Sequence, residues 1–174
     1  VKPYENKIAK EKLNNQNLKS ISESSIFSNS GEGIMIKKDI TKGILLRGYF
    51  AKDFSKLDIV NNGNFLGSEN KLSNNSISIS KELSFSLNLE IGDEITLMSS
   101  SGVQTIIGNL PKQKKFTVVS LFDSGVIDFD NNVAFINLVT LEEFFNLKPK
   151  DRNLEIYLNN PKNIEYQKTL VQKI

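Results

Sequence analysis

The spacing of apolar positions changes repeatedly along this chain, and each change predicts an element. Ile8, Leu13 and Leu18, with Lys and Glu between them, predict a helix over residues 4–18. Ile21 and Ile26-Phe27 predict a strand over 20–28, and Asn29-Ser30-Gly31 predicts the turn that ends it. Two further strands follow, GIMIKK over 33–38 and GILLRGY over 43–49, joined across 39–42. The opening is read as a helix followed by a small antiparallel meander.

Residues 51–60 predict a short helix, 61–64 a loop and 73–76 a polar break. Leu83, Phe85 and Leu87 predict a helix over 80–89 with Ser80 as its N-cap. Gly92-Asp93 turns the chain into an alternating strand over 94–98, a polar hairpin region follows over 99–115, and FTVVSLF makes 116–122 a strand. Asp128 to Asp130 precede a turn at Asn131-Asn132, and VAFINL predicts a strand over 133–138. Thr140 and Glu143 read as a capping box opening a helix that ends near Leu147. A strand over 153–158 and a closing helix, capped by Asn160 with Pro161 at its first position, complete the chain. Strands and helices interleave without strict alternation, so the expected class is α+β. The terminal pieces are each too small to bury a core alone. Residues 1–47 and 149–174 are therefore expected to pair as one split subdomain, with 48–148 inserted as a second.

Composition narrows the chemistry. The 174 residues contain no Cys and no His, which excludes disulfides, thiolate nucleophiles, cysteine or histidine metal sites and every Ser-His-Asp arrangement. A net charge of +2 with scattered lysines gives no basic patch for nucleic acid. With 39 % hydrophobic and 24 % charged residues, the chain has an ordinary globular balance, and no apolar run reaches membrane-spanning length. The chain opens at Val1 without a charged-then-apolar leader and closes at Ile174 within an expected helix, so it is expected to be a soluble piece of a longer protein. Asp123, Asp128 and Asp130 are the one tempting carboxylate group. With no base, His or phosphate-cradling loop beside them, they read as turn and capping aspartates. The chain is expected to be no enzyme and to need no metal or cofactor.

The hairpin region is unusual on its own terms. Val103, Ile106, Ile107 and Leu110 are framed by Ser99-Ser100-Ser101-Gly102 and by Pro111-Lys112. Adjacent Ile106 and Ile107 cannot both face one side of a strand, so an apolar side chain near the tip is expected to be exposed. Gly102 and Gly108 allow tight bends, and Pro111, lacking a ladder donor, is expected to end pairing on its strand.

Much of the chain resembles the periplasmic region of the LolC/LolE lipoprotein-releasing ABC-transporter permeases. The resemblance is carried by Ser80-Lys81-Glu82-Leu83, Gly92-Asp93, Ile95-Thr96-Leu97, the segment PKQKKFTV from Pro111, GVIDFD from Gly125, and Gly43 to Gly48. It implies the fold group shared with macrolide-export permeases: a split α/β porter-like subdomain and an inserted, mainly β subdomain bearing a protruding hairpin. It also implies an inner-membrane protein of a Gram-negative bacterium, facing the periplasm. The implied partners are a LolA-like periplasmic chaperone, a second LolE-like permease chain, a cytoplasmic LolD-like ATPase and lipoprotein cargo. In the LolC branch the hairpin is a hook that docks the chaperone. Here it maps onto Val103, Thr105, Ile106, Ile107, Gly108, Leu110 and Pro111, with a polar pad at Thr96, Gln113 and Lys114. Thr96 and Lys114 stand where the pattern favours arginine, whose planar fork they lack. The alternative is an export or mechanotransmission permease coupling ATP hydrolysis to another periplasmic partner.

The side-chain inventory yields a first prediction. Zinc or ATP at modest concentration is expected to leave the melting temperature unmoved, and a shift of several degrees with either would overturn the non-catalytic reading.

Overall fold

The computed structural model describes residues 22–61, 63–68, 72–106 and 108–159, without the side chains of Ser100, Ser101, Val103, Gln104, Thr105 and Asn109. Both expected terminal helices lie outside the described residues. The chain divides into two compact units, and the described residues Ser22–Ser28 and Lys148–Asn159 belong to one, Asn29–Leu147 to the other.

In the smaller unit, the start of strand β1 (Ser22–Lys37) pairs antiparallel with the last strand of the chain, Asn153–Leu158, from Ser22↔Leu158 to Ser28↔Asn153. Ile26 and Leu154 are buried, and the Ser28 hydroxyl donates to the Glu155 carboxylate.

The larger unit is built around a closed ring of strands. Residues Asn29–Lys37 of β1 pair antiparallel with β2 (Ile40–Tyr49), and β2 pairs parallel with Val133–Asn137. After β2 come α1 (Ala51–Phe54), α2 (Asp58–Asn61), the short β3 (Leu66–Gly67), β4 (Ser76–Ser80) and α3 (Lys81–Leu87). Then follow β5 (Glu94–Thr105), β6 (Gly108–Phe122), α4 (Ile127–Asn132), β7 (Val133–Asn137) and α5 (Leu138–Phe145). A 3-10 turn, Pro149–Asp151, and β8 (Asn153–Leu158) end the described chain in the smaller unit. β7 pairs with β4, β4 runs parallel to β6, β6 pairs with β5, and β5 returns to β1 at Gly33↔Ser99 through Ile36↔Thr96. Mixed helix and strand with a dominant sheet is the α+β class expected.

Period-two alternation fills the ring. Met35, Ile44 and Leu46, Ile77 and Ile79, Ile95 and Leu97, Phe116 and Val118, and Ala134 and Ile136 are all buried in one core. Leu83 and Leu87 of α3 and Leu141, Phe144 and Phe145 of α5 belong to that core too. A second, aromatic cluster gathers around Phe135, whose ring centroid lies 5.0 Å from Phe122, 5.3 Å from Phe54 and 5.9 Å from Tyr49. Ser78 is the register partner of both Phe135 and Ser120, and these small side chains leave room for that aromatic cluster. The Ser78 and Ser120 hydroxyls have no hydrogen-bond partner among the described residues.

Several expectations are corrected. Asn29-Ser30-Gly31 is no turn: β1 runs unbroken through it, and the unit boundary falls at Ser28/Asn29 instead of Arg47/Gly48. The reason is that residues 29–47 supply ring strands bonded to β5 and β7. The other boundary falls at Leu147/Lys148, one residue before the expected one. Residues 51–60 form two short helices, and the polar-looking SISIS segment is a fully buried strand. Asp128 to Asn132 lie in α4, not in a turn. The helix expected from Thr140 starts at Leu138, capped by Asn137, whose side chain accepts from Val139 N at 3.0 Å and Thr140 N at 3.5 Å. Thr140 instead donates to the Asn74 carbonyl at 3.1 Å, so no capping box forms. The Ser80 cap is present, accepting from Leu83 N at 3.0 Å.

The turn into β5 is held electrostatically. Asp93 accepts from Glu90 N at 3.2 Å and pairs with Lys37 at 3.4 Å, and in that order of importance these hold its carboxyl below the usual carboxylate range. A lowered carboxylate pKa contributes stability above the unfolded value of about 3.9, and that contribution vanishes as pH falls through the folded value. Asp93→Asn is therefore expected to lower the denaturant midpoint at neutral pH and to match the wild type in strong acid. Packing gives a second test. A Cβ on Gly31 would stand 2.6 Å from the Phe145 ring, whereas one on Gly43 would meet nothing within 4 Å. Gly31→Ala is expected to cost about 1–3 kcal/mol by overpacking. Gly43→Ala should stay within about 0.5 kcal/mol, read from urea midpoints.

Candidate functional site

The ring pattern places the hairpin. Along β5, Ile95 and Leu97 point into the core, and Ser99 is the last residue to pair with β1. From Gly102 onward β5 pairs only with β6 among the described residues, through Gly102↔Pro111, Val103↔Leu110, Gln104↔Asn109 and Thr105↔Gly108. Ile106 follows Thr105 as a turn residue. Gly108 follows at φ 121°, a backbone state in which a Cβ would be strained. Pro111 does not end pairing, contrary to expectation: β6 continues through it to Phe122. It sits beside an irregularity, because the register slips between Met98↔Gln113 and Gly102↔Pro111, and a missing ladder donor is tolerated there.

Ile106 is fully exposed, at 106 % of its reference surface, and Leu110 is half-exposed at 51 %. Gly108 and Pro111 are exposed as well. Val103 and Thr105 occupy paired positions in β5, while Ile107 lies outside the described residues. The structure thus gathers the expected hook residues that it describes onto one ribbon.

Two clefts lie at the foot of that ribbon. One, of about 580 Å³, is lined by residues that include Ile34, Leu45, Met98 and Pro111, with Glu32, Ser99 and Asn132. The other, of about 260 Å³, is lined by Lys112, Gln113, Lys114, Thr140, Glu143 and Phe144. Gln113 and Lys114 therefore share a cleft whose other wall is α5. The Gln113 amide donates to Met98 Sδ at 3.7 Å, and the Lys114 ammonium stands 5.5 Å from the Phe116 ring centroid. Thr96, paired with Ile36 and Lys115, lines neither cleft. The α5 wall was missed from sequence. Thr140 and Glu143 there read as helix caps, and no local pattern reports a contact spanning some thirty residues.

Two of the three aspartates, Asp123 and Asp130, hold the backbone before α4. Asp130 is buried and accepts from Ser124 N at 3.2 Å, and Asp123 accepts from Gly125 N at 3.1 Å and pairs with Lys81 at 3.8 Å. No group of three or more His, Cys, Asp or Glu among the described residues is placed to hold a metal, and no described helix is long and apolar enough to cross a membrane.

No established family profile matches the chain. Over 71 residues it is 30 % identical to the lipoprotein-releasing system transmembrane protein LolC of Xylella fastidiosa (strain Temecula1), a match covering 41 % of this chain and 17 % of that protein. It is 31 % identical over 81 residues to the LolC of Neisseria meningitidis serogroup B, covering 47 % of this chain and 20 % of the relative. The matches thus span a fifth or less of these curated relatives. Among solved structures, the extracellular domain of the noncanonic ABC-type transporter YknZ from Gram-positive bacteria matches with a TM-score of 0.56 at 12 % identity, over 93 % of this chain and 79 % of that one. The periplasmic region of MacB from Actinobacillus actinomycetemcomitans matches with a TM-score of 0.55 at 13 % identity, over 88 % and 66 % respectively. The chain thus carries a stretch of sequence similar to LolC on a fold shared with these ABC-permease domains.

Proposed function

We propose that the chain is the periplasmic part of an inner-membrane lipoprotein-releasing permease in a Gram-negative bacterium, and that its hairpin docks a LolA-like chaperone which carries the released lipoprotein away. The observation that carries this reading is Ile106, a fully exposed isoleucine at the end of a two-stranded ribbon. An apolar side chain held in water has its interaction energy still to realise. Burying Ile106 and Ile107 would contribute about 3–6 kcal/mol of gross transfer energy. After the costs of association this supports a reversible contact, which suits a chaperone that must depart with cargo. Gln113 and Lys114 act as a polar pad at the foot, and Lys in place of a forked donor makes that contact modest. In the full-length protein the domain works beside a LolE-like chain and a LolD-like ATPase. The smaller unit, with the start of β1 paired to β8, takes the porter-like role next to the membrane.

The solved neighbours favour a second reading, an export or mechanotransmission permease whose domain relays ATP-driven motion to a different periplasmic partner. The hairpin separates the two, because only the first reading requires its tip.

Replacing Ile106 and Ile107 together with Asp is expected to leave the melting temperature nearly unchanged and to abolish capture of a LolA-like chaperone in a pull-down. Gln113→Ala and Lys114→Ala should weaken capture only a few-fold, since such contacts stay partly hydrated. An unfolded double variant would make the isoleucines core residues, and a folded one that still binds at full strength would place docking elsewhere.

A further inference from the structure

The ribbon leaves the ring at a point where its own ladder is interrupted. Up to Ser99, β5 lies between β6 and β1, whereas from Gly102 it has β6 alone among the described residues. The register slip falls at the same place, so that residues 99–101 stand opposite Lys112. A bulge bends and twists its strand, and an isolated two-stranded ribbon has little stability of its own. Among the described residues, the ladder loses its β1 neighbour and its register at the same point.

Lys112 reaches out of the strand pair at this break. Its ammonium donates to the Glu143 carbonyl at 2.8 Å and to Asn146 Oδ1 at 2.5 Å. Glu143 lies in the last turn of α5, where carbonyls lack helical partners and the helix dipole favours a cation. Asn146 caps that helix in the left-handed conformation at φ 56°. The far end of the tie is firm, because Leu141, Phe144 and Phe145 bury α5 on the ring core. The neighbouring lysines act differently: Lys114 lies over Phe116, and Lys115 pairs with Glu94 at 3.5 Å on the adjacent strand.

We propose that Lys112 is a positioning residue, a staple from the foot of the hairpin to the C-terminus of α5 that fixes the direction of the projecting tip. Its geometry is independent of any partner, while its purpose rests on the docking reading above. A tip already aimed at its partner loses less freedom on binding, so the staple raises affinity without touching the chaperone.

The chain contains no cysteine, so a spin-label pair can be introduced cleanly at Ile106→Cys and Glu82→Cys. The distance distribution between the labels is expected to be narrow in this background and broad with Lys112→Met. Lys112→Arg, which keeps a cation for the same carbonyls, should restore the narrow distribution. Asn146→Gly keeps the left-handed cap, removes one acceptor and should broaden the distribution partway, which also serves if Lys112→Met folds poorly. A distribution as narrow in Lys112→Met as in its parent would overturn the staple. In unlabelled protein, Lys112→Met is expected to weaken chaperone capture about fivefold to tenfold, with rescue by Lys112→Arg. Broadening with unchanged capture would overturn the role in docking. Full capture by Ile106→Asp would instead sink the docking reading, and the label distances would still decide the staple.

Discussion

The larger unit depends on one strand pairing on both of its edges. Between Gly33 and Ile36, β1 is bonded to β2 on one side and to β5 on the other, and this closes the ring. Without that second pairing the sheet would have two open edges and its interior side chains would face water. Closure also explains Gly31, which allows the Phe145 ring to lie against β1 where a methyl group would stand 2.6 Å from it. α5 can then seat Phe144 and Phe145 in the ring core, and the polar cleft and the Lys112 tie at the foot of the hairpin are referred to that helix.

The hairpin follows from the limits of the same closure. β1 supports β5 only as far as Ser99, and the strand continues to Thr105. Beyond Ser99 the strand continues as a ribbon paired with β6 alone among the described residues. A ribbon of this kind would ordinarily be polar. This one carries Ile106 into solvent and leaves Leu110 half-exposed, while an apolar cleft with Ile34, Leu45 and Met98 opens at its foot. Exposed apolar surface gathered on one projecting element marks an interaction site better than the scattered Leu and Ile of an ordinary surface.

The sequence alone determined the class of fold, most of the strands and the absence of Cys and His chemistry. It also marked the hairpin, because two adjacent isoleucines cannot share one face of a strand. These features are local: alternation, caps and turn residues act within a few positions, as the Ser80 cap and the Asn153–Leu158 strand illustrate. Where local signals misled, tertiary contacts had overruled them. Asn29-Ser30-Gly31 has the composition of a turn but is held straight by β2 on one edge, and its glycine answers to a phenylalanine far along the chain. Ser76 to Ser80 look polar but are buried, since sheet neighbours and the aromatic cluster surround them. Thr140 and Glu143 fit a capping box, and Asn137 took the cap once β7 ended at that residue. The polar cleft and the Lys112 tie were decided by tertiary structure alone. They join β6 to α5 across a stretch of chain that the ring must fold back before the two can meet, and a sequence pattern carries no record of which distant carbonyl a lysine will reach.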